Sequence, residues 1–411
     1  MKTYAYKLYT TRKTRYLDAL LTVACDIYNW VLLTKREAYS RDKTYISLYD
    51  MYGLVRDRRN EPNSAWQMIN ATATRQIVDR IYIGYDHFFD DLRRGVKTSP
   101  PKFKKTPKYR SITFRQDTGY KLLDDNTLYI SGQSYHGRGG KTFRFHKHRD
   151  WEGKIKTLTV KKNSLGEWFI YITTDFQEAS KQETRSGKSV GFDFGLKNFL
   201  TGSDGTAIQS PLFFKQSSKK IRRLNQQLDS KVKGSGNSKR ALRALAKAHD
   251  DIANQRKDFH WQLAYQLVQT YETICLETLN LKGMQALCSR KIGDLGLYSF
   301  VQKLVYMASK YGSKVIFIDR FYPSSKTCSC CQHINETLDL KDREWDCSNC
   351  GTHHDRDANA AINIHTQGMS LLKSKNGVGI STLVGVEVRP AKPTRKRGKQ
   401  ALSVDGTISN G

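Results

Sequence analysis

Residues 1–10 alternate apolar and polar positions, through Tyr4 and Tyr6, which predicts a strand. From Tyr16 to Ser40 the apolar positions recur at three and four instead: Leu17, Leu20, Leu21, Ala24, Ile27 and Val31. That spacing predicts a helix with one buried face. A second helix is predicted from Ser64, as N-cap, to Leu92, with Ile69, Ala73, Ile77, Ile81, Tyr85, Phe88 and Leu92 as its buried stripe. Pro100-Pro101 breaks the helical rhythm. Short β-rich runs follow at Ser111–Phe114, Leu128–Ile130, Thr142–Phe145, Ile155–Val160 and Trp168–Thr174, separated by Gly, Asn and Asp. Such runs predict a small barrel or sandwich joined by the N-terminal strand, with the helical block as an insertion.

A polar linker over 177–187 leads to a second rhythm. Ser189–Phe194 is a compact apolar strand that Asn198–Gly202 would pair in a hairpin. A helical hairpin is predicted from Phe214 to Thr270, interrupted at Gly234–Asn237. Strands at Thr273–Leu276 and Lys314–Asp319 flank a helix at Leu297–Tyr311 that Gly312 would end in a left-handed cap. A last helix is predicted over Asp357–His365. This is an α/β domain interrupted by a Cys-rich insert. The segment 389–399 holds six basic residues and two Pro and predicts a disordered basic tail over 369–411.

The chain has 411 residues, room for two or three domains of about 150 each. Its 38% hydrophobic content supports packed cores and excludes global disorder. No apolar run approaches the roughly 18 residues of a membrane span, and the N-terminus lacks a secretory h-region. The charge changes the picture most: 69 Lys and Arg against 39 Asp and Glu leave +30. A surplus of that size points to nucleic acid, since no basic amphipathic segment offers a membrane anchor. The hairpin is its main reservoir. Residues 215–260 carry thirteen Lys or Arg against four acids, among them Lys219, Lys220, Arg222, Arg223, Lys239, Arg240 and Arg243. Such a surface can track phosphates without reading bases, or be a merely solvated face. Lys102, Lys104 and Lys105 form a smaller basic segment.

Two chemistries stand out. Cys328-x-x-Cys331 and Cys347-x-x-Cys350, fifteen residues apart, have the spacing of a four-thiolate zinc ribbon. Four protein ligands leave no open position, so the Zn²⁺ would be structural. Three acids lie at element ends: Asp193 within an apolar strand, Glu277 closing Thr273–Leu276, and Asp357 opening the last helix. Asp357 or Asp355 could simply cap that helix, and Glu277 could be a strand-end charge. Asp193 is harder to explain so, because a buried, unpaired carboxylate is costly. Converging carboxylates repel each other, and divalent cations relieve that. Mg²⁺ prefers such hard oxygen ligands, and two ions suit phosphodiester hydrolysis.

At these residues the sequence resembles TnpB, the transposon-encoded family of RuvC-type, RNase H-like nucleases related to type V CRISPR effectors. The stretches that carry the resemblance are GFDFGLKNFLTG (191–202), LETLNLKGM (276–284), YPSSKTCSCC (322–331), WDCSNCG (345–351) and HHDRDANAAINI (353–364). The resemblance implies an RNA-guided DNA endonuclease. A guide RNA from the transposon end would pair with double-stranded target DNA beside a short motif read by the protein. Asp193, Glu277 and Asp357 fall on the family's catalytic positions and would hold two Mg²⁺ ions. The layout implied is a β-barrel wedge domain (1–10 and 110–182) and a helical recognition domain (11–109). A RuvC-like nuclease domain (183–322 and 355–368), a zinc ribbon (323–354) and the tail complete it. Residues 280–297 would correspond to the lid over the active site. Motif reading is expected near Arg75 and Gln76. The resemblance further implies work in the prokaryotic cytoplasm, on nucleoid DNA, and leaves monomer and dimer open. The chain departs from the pattern at Gln332, where the family has Gly after the second Cys. The competing readings are a DNA-binding regulator of transposition without cleavage and a RuvC-fold nuclease acting without a guide.

Overall fold

The computed structural model describes residues 1–115, 118–134, 137–176, 187–278, 293–339 and 341–374. The 177–187 linker and the 280–297 lid fall largely outside them, as does the tail from 375 on. The chain divides into two compact units: 1–179 with 213–255, and 180–212 with the remainder.

In the first unit β1 (Lys2–Leu8) precedes three helices, α1 (Thr14–Asp42), α2 (Leu48–Asn60) and α3 (Ala71–Arg93). Eight further described strands follow β1: the five predicted runs as β2 (Ser111–Arg115), β4 (Thr127–Ile130), β7 (Lys141–His146), β8 (Ile155–Lys162) and β9 (Trp168–Thr174), and three that the pattern does not predict, β3 (Tyr120–Asp124), β5 (Gln133–Ser134) and β6 (Gly137–Arg138). Seven of them form one antiparallel sheet in the order β2-β8-β9-β1-β7-β4-β3. The order ends at β2 and β3, so the sheet is an open half-barrel, where a small barrel or sandwich is predicted. β1 sits at its centre, paired with β9 from Lys2↔Thr174 to Lys7↔Phe169. Residues that alternate inward along β9 (Trp168, Ile170, Ile172) meet Leu17, Leu20, Ile77 and Ile81 of the helices in one core.

The second helix begins later than its pattern predicts. Ser64 makes no side-chain cap and opens only a 3₁₀ turn, Ala65–Met68. Asn70 is the true cap, its side-chain oxygen accepting the Thr72 N–H at 2.8 Å. Trp66 holds the turn down: it is buried, and its indole N–H donates to Asp26 at 2.7 Å. α1 also corrects the hydropathy reading, since an 18-residue window of it is apolar enough for a membrane span. That window is 56% buried within the protein, and Leu17, Ala24, Ile27 and Val31 belong to the core. The basic hairpin is α4 (Phe213–Asp229) and α5 (Gly236–Thr270). Ile221, Ala248 and Ile252 form its apolar seam.

The second unit is built on a five-stranded sheet in the order β12-β11-β10-β13-β14. β10 (Ser189–Asp193), β13 (Thr273–Glu277) and β14 (Lys314–Ile318) run parallel. β11 (Asn198–Gly202) and β12 (Ala207–Gln209) continue it antiparallel, so the predicted hairpin is present. Alternation divides the strands cleanly. Val190, Phe192, Ile274, Leu276 and Val315 pack with Leu263 and Leu267 of α5 and with Phe300 and Leu304 of α6 (Leu297–Tyr311). Cys275, Ile316 and Ile318 face the other way, onto Ile364 of α7 (Arg356–Ser374). α7 runs six residues beyond 368, so 369–374 is helix and not part of a disordered tail. Gly312 takes φ 77°, the left-handed cap its position predicts. The Cys-rich insert carries a short hairpin, β15 (Glu344–Asp346) against β16 (His353–Asp355).

Candidate metal centres

The four thiolates come together. The Sγ atoms of Cys328, Cys331, Cys347 and Cys350 all lie within 4.8 Å of one another. The Cys328–Cys350 and Cys331–Cys347 separations are 3.7 and 3.6 Å. A tetrahedron with Zn–S bonds of about 2.3 Å has edges of about 3.8 Å, so the donor set fits Zn²⁺. Two equivalent knuckles build it. The Gln332 N–H donates to Cys328 O at 2.9 Å, and the Gly351 N–H donates to Cys347 O at 2.8 Å. The Cys328 N–H donates to His333 O, and the Cys347 N–H to Thr352 O. This equivalence sets Gln332 against Gly351, and both are left-handed, at φ 64° and 72°. The missing Gly therefore leaves the turn intact and puts its cost on a side chain in a region that favours glycine. His354 adjoins the set: its Nε2 lies 3.0 Å from Cys328 Sγ.

Strand geometry brings the acids together. Gly191 packs against the backbone of α7, since a Cβ there would lie 2.4 Å from Ala361 O. Asp193, two residues on, shares that face. Cys275 faces α7 too, so Glu277, again two residues on, does likewise. Phe192 pairs with Leu276, and one further step of this parallel register sets Asp193 beside Glu277, on strands about 4.8 Å apart. Asp357 lies in the first turn of α7. Asp355, not Asp357, caps that helix, accepting the Ala358 N–H at 2.8 Å. Asp357 is thereby left to other partners.

Asp193 feels both of the other acids. Burial, then the charges of Glu277 and Asp357, raise the Asp193 carboxyl well above its usual range. Burial raises Glu277 as well. Among the described residues only the four thiolates stand close enough together to hold an ion as they are; the acids offer, at the C-terminal ends of adjacent parallel strands, the hard oxygens a divalent cation prefers. The sequence pattern missed Arg343 of the insert, whose Nη1 lies 3.2 and 3.4 Å from the two Asp357 carboxylate oxygens. No spacing rule links it to Asp357, fourteen residues on.

The expected nucleic-acid contacts lie in the first unit. Lys102, Lys104 and Lys105 are exposed, as are Lys219, Lys220, Arg222, Arg223, Lys239, Arg240 and Arg243. Arg75 is exposed and stands over the Tyr52 ring at 5.6 Å, while Gln76 donates to Asp79 at 2.6 Å. They adjoin a pocket of about 390 Å³ between α2 and α3, lined by Tyr49, Tyr52, Arg56, Arg59 and Arg75.

Comparisons with known proteins find relatives of the chain and of its fold. The family profile "Cas12f1-like, TNB domain" matches residues 298–364, and "Probable transposase" matches 156–287. A provisionally named RNA-guided DNA endonuclease of Streptomyces pristinaespiralis is 30% identical over 248 residues, 60% of this chain and 58% of its own. TnpB-like protein L79 of Acanthamoeba polyphaga mimivirus is 34% identical over 231 residues, 52% of this chain and 44% of its own. InsQ of Escherichia coli K12, under the same provisional endonuclease name, is 26% identical over 365 residues, 84% and 87% of the two chains. The chain thus spans about half the length of the first two. Among solved structures, one described as a Cas12f1–sgRNA–target DNA complex shares the fold, with a TM-score of 0.57. It is 15% identical and covers 86% of this chain and 83% of its own.

Proposed function

Because the chain belongs to the TnpB family, we propose that it is an RNA-guided DNA endonuclease that hydrolyses phosphodiester bonds at Asp193, Glu277 and Asp357. The observation that carries this reading is the approach of those acids, from two adjacent parallel strands and a helix start, where burial and the charges of Glu277 and Asp357 make Asp193 costly to ionise. These carboxylates would hold two Mg²⁺ ions. When bound, the ions would supply Lewis acidity at the scissile phosphate and at the attacking water. The protein contributes rigidity, because its carboxylates sit on sheet and helix and need no rearrangement at the moment of reaction. The four thiolates would hold a structural Zn²⁺.

In this reading 183–322 and 355–368 are the RuvC-like nuclease domain of RNase H-like fold, and 323–354 is its zinc ribbon. The half-barrel would be the wedge domain and 11–109 the recognition domain. The exposed cations of α4, α5 and the 102–105 segment would grip RNA scaffold and heteroduplex by charge and shape. Base pairing by the guide would supply most sequence choice. The pocket beside Arg75 offers exposed Tyr49, half-buried Tyr52 and two further arginines, groups suited to stacking on and hydrogen bonding to a base. It is the site we assign to the flanking motif.

Purifying the protein from cells that carry its own transposon end, and sequencing the RNA that comes with it, tests the guide. A single enriched species from that end is expected. No enrichment over a bulk RNA control would reject guidance.

A further inference from the structure

Two buried amides on α7 tie the carboxylate site to the thiolate site. Asn359 and Asn363 are 2% and 1% exposed and lie one turn apart on one helix face. The Asn359 Nδ2 donates to Thr327 O at 2.8 Å, and its Oδ1 accepts the Ser329 N–H at 2.9 Å. The Asn363 Nδ2 donates to Ser324 O at 2.9 Å and to Thr327 O at 2.6 Å. All four bonds go to the main chain leading into and forming the first Cys knuckle. That main chain is itself fixed, because the Thr327 N–H and hydroxyl both donate to Pro323 O. Buried amides hold tightly, since moving either one strands polar groups away from water. The insert also holds the helix start: the Arg356 N–H donates to Arg343 O at 2.8 Å, and its guanidinium donates to Asp339 O and Asp342 O.

We propose that Asn359 and Asn363 are positioning residues: their grip on the first Cys knuckle fixes α7, and with it Asp357, against Asp193 and Glu277. The proposal rests on the reading of the three acids as a cation site.

Mn²⁺ is the probe, read by electron paramagnetic resonance on the full-length protein, alongside zinc content by mass spectrometry and thermal melting. Asn363→Ala should keep the zinc content of the wild type and bind Mn²⁺ about tenfold more weakly or worse, the loss typical of removing a group that orients a metal ligand. Asn359→Asp keeps the acceptor for Ser329 and loses the donor to Thr327. It should fall between wild type and Asn363→Ala, and it carries the test if Asn363→Ala does not fold. Asp193→Ala is the control. If it binds Mn²⁺ like the wild type, the carboxylate reading itself fails. If it loses Mn²⁺ while the Asn variants melt lower but keep wild-type Mn²⁺ affinity, the amides are merely structural and the proposal is overturned. Loss of zinc from the Asn variants would overturn it as well, because the amides would then be holding the knuckle and not the helix.

Discussion

Gly191→Ala should damage the proposed catalytic centre from a position outside the three acids. A Cβ added at Gly191 would lie 2.4 Å from Ala361 O, 2.4 Å from His365 N and 2.7 Å from His365 Cα. Ordinary contact begins near 3.4 Å. All three obstacles are backbone, so no rotamer relieves them, and α7 must retreat from β10 by about 1 Å. Overpacking of this kind costs about 1–3 kcal/mol. The functional loss should be larger in proportion. Asp193 is two residues along the same strand face and Asp357 is one helical turn before Ala361, so the retreat widens the gap between their carboxylates. A misplacement of about 1 Å at a reacting centre costs about 10²-fold in rate. Chemical denaturation and single-turnover cleavage measure the two effects. For the denaturation arm Gly53→Ala is the control, since Gly53 sits in α2 with nothing within 4 Å of its added Cβ; it lines the pocket beside Arg75 and so is no control for cleavage. It should gain up to about 1 kcal/mol from helix propensity. Wild-type stability and cleavage in Gly191→Ala would refute the close registry of strand and helix on which the site depends.

Other expectations follow from single features. Gln332→Gly removes a left-handed side chain from the knuckle, and calorimetry should show a gain of about 0.5–1 kcal/mol; a loss would mean the Gln side chain stabilises the turn. Cys347→Ser should lose the zinc and, with it, the cooperative melting of the second unit, whereas retention of zinc in metal analysis would reject the four-thiolate site. Asp193 holds its proton more tightly folded than unfolded. The folded state then binds more protons than the unfolded state above the usual carboxylate value of 3.8, so stability should fall as pH rises through the raised folded value. Melting temperatures over about pH 4–8 without added divalent cation should show that decline, and Mg²⁺ or Asp193→Asn should flatten it. A decline unchanged by both would show that Asp193 is not its source. Replacing Lys219, Lys220, Arg222 and Arg223 with Gln should weaken nucleic-acid binding and reduce its salt slope by about 0.7–0.9 for each phosphate no longer neutralised; an unchanged slope would leave α4 a solvated face.

Much of the second unit was legible because its signals are strong locally. β10, β13 and β14 are apolar runs bounded by Gly or charge, and the acids stand where those runs end. The Cys spacing fixed the ribbon without reference to anything else in the chain. What stayed hidden depended on tertiary context. α2 contains a central Gly53, and only Met51 and Val55 of its thirteen residues are buried, too few to print a helical period. β3 buries Tyr120 alone. Ser64 and Asn70 are both good caps, and the burial of Trp66 decided between them. The half-barrel is open because its strand order ends at β2 and β3, a matter of pairing no local run encodes. Arg343 and the amides Asn359 and Asn363 act through contacts across 14 to 39 residues of sequence. The division of Asp355 and Asp357 between cap and site needed the hydrogen bond to Ala358 to be seen.

The central claim is that the three carboxylates cut DNA chosen by an RNA. The direct measurement is cleavage of a plasmid matching the RNA that co-purifies with the protein, in Mg²⁺, by wild type and by Asp193→Ala. The account predicts RNA-dependent linearisation by the wild type, and binding without cleavage by Asp193→Ala. Cleavage by Asp193→Ala at the wild-type rate, or none by the wild type with its RNA bound, would contradict it.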